Sequence, residues 1–147
     1  LKEVKITGGT FYNNSVTSAD TECYGGAICI TNSGNTSTPA QISNCTFNSN
    51  SAYQRGGAIY IGGTTCIKIN NCTFNGNSVT NSTANGGAIY VANTSGGPVE
   101  ILECFFANNT ANSSENTIYN DTSSTENISV TVDGTAVANS SVWNPIW

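Results

Sequence analysis

The acidic and basic side chains are the first candidates for chemistry in this chain. Its 147 residues include nine Asp and Glu, no His and one arginine, Arg55. A glycosidase needs two carboxyl groups facing one groove, and a lyase needs a general base beside a cation. Glu100 and Glu103 are close in sequence, but a predicted corner puts them on different faces, and no acid recurs at the same repeat position. We therefore expect a protein that is not an enzyme; a polysaccharide-active enzyme is a remote alternative.

Cysteines form the second reactive set, and there are six: Cys23, Cys29, Cys45, Cys66, Cys72 and Cys104. So many in a short chain are typical of an oxidising compartment, and all six are disulfide candidates. Three of them stand two residues before a repeated phenylalanine, so stacked repeats would bring their Cα atoms about 4.8 Å apart. Two of these three can form a disulfide, or all three can stay buried thiols. No metal site is expected, because no Cys-x-x-Cys pair and no histidine accompany them.

Asparagines supply a modification signal rather than a catalytic one. Eleven Asn-x-Ser/Thr sequences begin at Asn13, Asn35, Asn44, Asn71, Asn81, Asn93, Asn108, Asn112, Asn120, Asn127 and Asn139. Because such sequences accept N-linked glycans, we expect an extracellular or cell-surface glycoprotein with covalent glycans and no other cofactor. The alternative is that an Asn- and Thr-rich repeat acquires these signals without using them.

Charge and hydropathy exclude two classes of partner. The formal net charge is -5 with four Lys and Arg, which leaves no basic face for nucleic acid. No apolar run approaches the roughly 18 residues that cross a bilayer, so no membrane span is expected.

Internal repeats must position all of these side chains. Gly-Gly-Ala-Ile occurs at residues 25–28, 56–59 and 86–89, and Phe-x-x-Asn occurs at residues 11–14, 47–50, 74–77 and 106–109. A fourth, altered copy of the glycine motif covers residues 115–118. Self-similarity at a period of roughly 30 residues predicts stacked supersecondary units.

Each repeat reads as one coil of two or three short parallel strands. Apolar residues alternate with polar ones before each phenylalanine, and the alternation breaks at a predicted corner occupied by Gly8, Asn44, Asn71 or Glu103. The strand that follows the two glycines points isoleucines inward and puts one column outward: Cys29, Tyr60, Tyr90 and Tyr119. We interpret this column as a stacked ladder that stabilises the sheet. The alternative is that this column forms an exposed aromatic stripe that binds sugar or a neighbouring molecule.

The asparagine of Phe-x-x-Asn forms another column: Asn14, Asn50, Asn77 and Asn109. None of the four is a glycosylation signal. Side-chain amides stacked at a corner satisfy each other and nearby backbone groups, so we predict a structural ladder with no ligand role.

Both motifs together resemble the chlamydial polymorphic outer membrane protein repeat, which is defined by Gly-Gly-Ala-(Ile/Leu/Val) and Phe-x-x-Asn. The resemblance covers roughly residues 4 to 120. It implies an all-β chain folded as a right-handed parallel β-helix, a solenoid, displayed outside the cell with a role in adhesion or surface structure. At the observed spacing we expect about four to five coils, followed by an atypical C-terminal strand or hairpin segment.

The two ends of the chain differ from the repeats and from each other. We assign residues 1–126 to the β-helix and residues 127–147 to a segment that either caps the last coil or docks on another subunit. Asp133-Gly134 is a hairpin signal, and the tail carries both tryptophans, Trp143 and Trp147. With no cap apparent before Val4, we expect copies to stack head-to-tail into a surface fibre, so the chain's main partner would be itself. The alternative is a passenger fragment of a larger adhesin that contacts a host or neighbouring cell surface.

Overall fold

The computed structural model describes residues 4–18, 24–31, 38–63, 66–92, 97–122, 130–138 and 140–146. All regular structure in these ranges is β-strand, arranged as twenty strands of two to four residues in four sheets. No helix in this part of the chain is long and apolar enough to span a bilayer.

Strands are numbered in chain order, and each sheet collects one strand from every coil. Sheet 1 contains β1 (Lys5–Thr7), β5 (Ala40–Ser43), β9 (Ile67–Asn70), β13 (Val99–Leu102), β18 (Val130–Val132) and β19 (Thr135–Ala136). Sheet 2 contains β2 (Thr10–Tyr12), β6 (Thr46–Asn48), β10 (Thr73–Asn75) and β14 (Phe105–Ala107). Sheet 3 contains β3 (Ser15–Val16), β7 (Ser51–Ala52), β11 (Ser78–Val79), β15 (Thr110–Ala111) and β16 (Ser114–Glu115). Sheet 4 contains β4 (Ile28–Ile30), β8 (Ile59–Ile61), β12 (Ile89–Ala92), β17 (Ile118–Asp121) and β20 (Ser141–Trp143).

Successive coils pair in parallel and in register, so equivalent repeat residues face each other. Phe74 pairs with Phe47 on one side and with Phe106 on the other. Four coils are complete and β18 begins a fifth, which confirms the predicted β-helix of four to five coils. The prediction of two or three strands per coil is wrong, because each coil has four. The missed strand is the two-residue one of sheet 3, which is too short to show an alternation.

Corners between the sheets need a left-handed backbone conformation at one residue each. Between sheets 1 and 2 that residue has φ from 51° to 71° in the four complete coils: Gly8, Asn44, Asn71 and Glu103. Glycine and asparagine tolerate this region best, which explains why polar residues interrupt the alternation at the predicted corner.

The interior is narrow and filled by one or two side chains from each strand. Phe47 and Phe74 are fully buried, and their ring centroids lie 4.8 Å apart with nearly parallel planes. Phe11 and Phe106 extend the stack at 4.8 and 5.0 Å. Such pairs contribute roughly 0.5–1.5 kcal/mol each beyond the area they bury.

The second glycine of Gly-Gly-Ala-Ile is required by the coil stacked next to it. A Cβ on Gly57 would lie 2.0 Å from the carbonyl oxygen of Gly87 and 2.6 Å from the backbone of Ser78. In the fourth coil, register places Asn116 at this position. The glycine motif is lost there because no complete coil follows, so a side chain has room.

A cap closes the C-terminal end of the stack. The chain turns at Asp133 and Gly134, both with positive φ as a two-residue type I′ hairpin requires, and β19 then pairs antiparallel with β18. Strand β20 runs antiparallel along β17. The half-buried Trp143 packs edge-on against Phe106 at 5.5 Å. Thr117 donates its backbone N–H to Asn144 at 2.8 Å.

This geometry supports the cap interpretation for the described residues of the tail, because the ring of Trp143 packs within the chain over Phe106. Docking of Trp143 on another subunit stays a prediction. Trp147 lies outside the described residues. The strand β18 still stacks in parallel, so the cap proper begins at Asp133 rather than at residue 127.

Candidate functional site

A stack of tyrosine rings covers the outer face of sheet 4. Register aligns Tyr60, Tyr90 and Tyr119 in successive coils, with ring centroids 5.8 and 5.4 Å apart. In the first coil Cys29 holds the aligned position, but the ring stacked on Tyr60 at 4.4 Å comes from Tyr24. The tyrosines point away from the core as predicted, yet Tyr60 and Tyr90 are only 7% and 3% exposed. The column is therefore a covered ladder and not an open aromatic stripe.

Arg55 is the side chain that covers this ladder. Its guanidinium carbon lies 5.2 Å from the ring centroid of Tyr24 and 5.1 Å from that of Tyr90. Cation–π contacts of this kind favour a fixed, charged guanidinium. Burial alone would lower the pKa of Arg55, but the tyrosine hydroxyls and Asp121 together raise it.

The two central tyrosines are held in their neutral form. Burial raises the pKa of Tyr60, and the nearby Arg55 opposes that effect only in part. Burial also raises the pKa of Tyr90, strengthened by the hydrogen bond that its hydroxyl donates to Oδ2 of Asp121. Neutral phenols in this position act as hydrogen-bond donors and acceptors across the neutral pH range.

A polar groove of about 390 Å³ opens beside the ladder. Its polar lining is Gln54, Arg55, Asn81, Thr83, Asn85 and Asp121, set around Tyr90, Tyr119 and Ala84. We call it the Arg55 groove. Its volume falls within the roughly 300–1,000 Å³ typical of small-molecule sites.

Corner loops before the glycine motifs build the wall of this groove. Residues directly preceding the two glycines pair across three coils as bridges from Tyr24 to Arg55 and from Arg55 to Asn85. Asn116 donates to Oδ1 of Asn85 at 2.8 Å and fixes its amide. The turn that begins at Asn81 is closed by the backbone hydrogen bond from Ala84. Arg55 and its neighbours therefore stand on a rigid frame.

The asparagine column runs along the opposite part of the coil as a continuous ladder. Asn50 and Asn77 each donate Nδ2 to the next asparagine oxygen at 3.0 Å, and Asn14 donates to Asn50 at 2.9 Å. Asn50, Asn77 and Asn109 also donate to the carbonyl of a phenylalanine in the preceding coil, each at 3.0 Å. The same oxygens accept backbone N–H groups at 3.0–3.1 Å. At Asn50 and Asn77 both amide hydrogens donate and the oxygen accepts two hydrogen bonds, so no amide capacity remains for a ligand there.

The three cysteines that stand two residues before a repeated phenylalanine, Cys45, Cys72 and Cys104, form a column of thiols. The backbone N–H groups of Cys45 and Cys72 point at the next sulfur along the stack, at 3.5 and 3.4 Å. Each thiol also contacts the carbonyl two residues before it, at 3.2–3.3 Å. The hydrogen bond with Cys72 and burial raise the pKa of Cys104, which favours its protonated form. Cys29 and Cys66 are thiols as well, and Cys23 lies outside the described residues.

The glycosylation candidates fall into three groups. Five are exposed at corners with φ of 47–56°: Asn13, Asn44, Asn71, Asn108 and Asn112. Four lie outside the described residues: Asn35, Asn93, Asn127 and Asn139. The remaining two are Asn81, which lines the groove, and Asn120.

Asn120 is incompatible with a glycan in this fold, so its inclusion among the glycosylation sites needs correction. The residue is 0% exposed. It donates Nδ2 to the carbonyl of Val137 at 2.8 Å and accepts from the hydroxyl of Thr122 at 2.8 Å. This asparagine joins the last coil to the cap.

The two clustered acids are placed apart, as the predicted corner requires. Glu100 pairs with Lys68 at 3.1 Å on the outer face of sheet 1. Glu103 occupies the corner with φ of 52° and donates its backbone N–H to Asp133 at 2.7 Å. Within the described ranges no three His, Cys, Asp or Glu side chains cluster as metal ligands would.

Sequence reasoning found the tyrosine column but missed the groove. Tyr24, Arg55 and Asn85 all directly precede Gly-Gly, and this shared motif position could have shown that they lie side by side in adjacent coils. The three residue types differ, so the position does not stand out as a repeat in the sequence.

Comparison with known proteins bears on coils two and three. No curated protein matched the chain, and no solved structure did. A protein-family model matches at residues 44–62 and 71–92, which span the corner asparagine, the phenylalanine, the ladder asparagine, the glycine pair and the strand of sheet 4. The matching model describes the Chlamydia polymorphic membrane protein (Chlamydia_PMP) repeat, so these two segments are similar to that repeat.

Proposed function

We propose that this chain is a non-enzymatic, adhesin-like segment of a cell-surface protein, a rigid β-helical stem that presents the Arg55 groove. The observation that carries the proposal is the coincidence of the matched repeats with coils two and three, which provide Arg55, Asn81 and Asn85. The repeat family's description names membrane proteins, and this supports a location at the cell surface.

The carboxylates support a role without catalysis. Asp121 is the one carboxylate among the groove-lining residues that the structure describes, and it already accepts a hydrogen bond from Tyr90. Glycoside hydrolysis by the usual routes needs two carboxyl groups across one site. Glu100 and Glu103, which are close in sequence, are divided by the corner at Glu103.

Glycosylation of the exposed corners belongs to the same proposal. Asn44 and Asn71 lie in adjacent coils, and Nδ2 of Asn71 donates to Oδ1 of Asn44 at 2.7 Å. Two glycans side by side would crowd each other there, so we expect one of the two to be used. Intact-mass measurement before and after enzymatic release of N-glycans from native material tests this; an unchanged mass would remove glycosylation from the proposal.

End-to-end assembly has less support than the adhesin passenger. The cap strands β19 and β20 run antiparallel over the last coil, so another copy cannot continue the parallel stack there without displacing them. Light scattering, which measures the molar mass in solution, distinguishes end-to-end assembly from an adhesin passenger when it is repeated at rising protein concentration. A constant monomer mass supports the passenger, whereas mass growing with concentration supports head-to-tail stacking.

A cell-binding assay tests the surface role directly. The fluorescently labelled chain is added to cultured epithelial cells, with the heat-unfolded chain as the control. We expect saturable binding that an excess of unlabelled chain removes. Binding that does not saturate, or equal binding by the unfolded chain, contradicts the adhesin-like role.

A further inference from the structure

We propose that the Arg55 groove binds a neutral saccharide, held mainly by Arg55, Asp121 and Gln54. This inference deepens the proposed surface role, since it assigns a ligand class to the groove that the stem presents.

Several polar atoms of the groove have no hydrogen-bond partner among the described residues, in contrast to those of the ladder. Among the described residues, the side chains of Gln54 and Thr83 and the Nδ2 group of Asn81 make no hydrogen bond. Asp121 uses Oδ2 for Tyr90, which leaves Oδ1 as an acceptor. The groove therefore concentrates both donors and acceptors on a rigid frame.

Arg55 is the strongest of these donors. The ion pair found in the described part of the chain joins Lys68 to Glu100, so Arg55 has no carboxylate within 4 Å there. Its guanidinium is held over the rings of Tyr24 and Tyr90. A guanidinium carries five N–H donors, and stacking on ring faces does not use them all, so donors remain for a ligand.

Charge balance favours a neutral ligand. Among the described residues that line the groove, Arg55 is the one cation and Asp121 the one anion, so a charged ligand that gains from one is opposed by the other. The formal charge of -5 on the chain adds to the repulsion of anions. A sugar hydroxyl both donates and accepts, and therefore matches a site with guanidinium, carboxamide and carboxylate groups together.

The groove also offers an apolar surface for the carbon face of a sugar ring. Tyr119 is half-buried and lines the groove together with Ala84. Aromatic side chains with a polar end suit surfaces that are partly apolar and partly wet. Hydrogen bonding from the polar rim and packing against Tyr119 would then orient the ring.

Saccharide titration of the chain tests the inference. Glucose, galactose, mannose and N-acetylglucosamine are titrated separately by calorimetry to concentrations on the order of 10 mM, with N-acetylneuraminic acid as an acidic probe. Protein from a bacterial host leaves Asn81 unmodified. We expect at least one neutral sugar to bind and the acidic sugar to bind more weakly or not at all.

Two groove variants and one matched control make the test specific. Asp121→Asn and Gln54→Ala should each weaken binding by about tenfold, as expected when hydrogen bonds to a ligand are lost. Gln54 makes no hydrogen bond among the described residues, so Gln54→Ala should fold normally. Lys68→Ala removes a charge on the outer face of sheet 1 and should leave binding unchanged.

Three results would overturn the inference: no neutral sugar binds, the acidic sugar alone binds, or both groove variants bind as the parent does. The cell-binding assay distinguishes this failure from failure of the surface role. Sugar binding without cell binding contradicts the adhesin role and leaves the saccharide site standing. If no sugar binds but cell binding persists in Gln54→Ala, the saccharide site is contradicted and the adhesin role remains supported.

Discussion

The asparagine ladder and the tyrosine column both place one residue per coil along the same stack, but they use their polar atoms differently. In the ladder, Asn77 accepts from the neighbour before it and donates to the neighbour after it and to Phe47. Beside the tyrosine column, Arg55 and Asp121 keep unused donors and acceptors at the edge of a groove. A column with one residue type and saturated hydrogen bonds is structural. A column flanked by varied residues with unused polar atoms is where binding is expected.

The largest predicted effect concerns the glycine that the repeat requires. Gly57→Ala should destabilise the chain by about 4 kcal/mol or more, because the added Cβ meets backbone atoms of the next coil at 2.0–2.6 Å. Urea unfolding measures the change. Gly134→Ala is the control, since a Cβ there has nothing within 4 Å and only the positive φ costs energy, about 1–2 kcal/mol. Equal losses for the two variants would show that stacking does not select the glycine.

Breaking the asparagine ladder in the middle should cost about 3 kcal/mol. Asn77→Ala leaves the buried carbonyl of Phe47 and the backbone N–H of Asn50 without their side-chain partner, and each such group costs roughly 1–3 kcal/mol. Asn14→Ala at the exposed end should cost less than about 1 kcal/mol, because water replaces the lost amide. Urea midpoints for the two variants check the difference. Similar losses at both positions would contradict a cooperative buried ladder.

Removing the cover of the tyrosine column should have a smaller effect on stability. Arg55→Gln loses two cation–π contacts, which contribute roughly 0.5–1 kcal/mol each, so we expect a loss of about 1–2 kcal/mol. Lys68→Ala is the comparison: it removes the exposed ion pair between Lys68 and Glu100 and should change the unfolding free energy by less than about 1 kcal/mol. If Arg55→Gln were as costly as Asn77→Ala, the groove would be part of the structural core.

The smallest effect is a pH dependence confined to alkaline conditions. Tyr60 and Tyr90 have pKa values above the ordinary value of 10, so they stabilise the fold fully below pH 10. Above that pH the unfolded chain ionises first, and stability falls by at most about 1 kcal/mol per tyrosine over the next pH unit. Tyr90→Phe should flatten this decline, as measured by thermal unfolding between pH 9 and 11. An unchanged slope would indicate that Tyr90 ionises as freely in the folded chain.

Repetition explains which parts of the fold were predictable. Phe-x-x-Asn recurs four times and Gly-Gly-Ala-Ile three times because every coil must fill the same kind of interior, so the repeats mark the core residues in the sequence. The Arg55 groove appears once, from loops of different length and from single copies of Arg55 and Asp121, and no periodicity marks it. The sequence left the role of Trp143 open for a related reason: an aromatic tail has the same composition whether it covers its own Phe106 or another molecule.

Hydrogen–deuterium exchange with and without sugar tests the contrast between ladder and groove most directly. The chain is compared alone and with an equimolar mixture of glucose, galactose, mannose and N-acetylglucosamine. The account predicts added protection in the loops around residues 53–56 and 80–86 and in β17, with no change at residues 47–50 or 74–77. Protection that is absent from the groove, or that appears at the ladder instead, would contradict it.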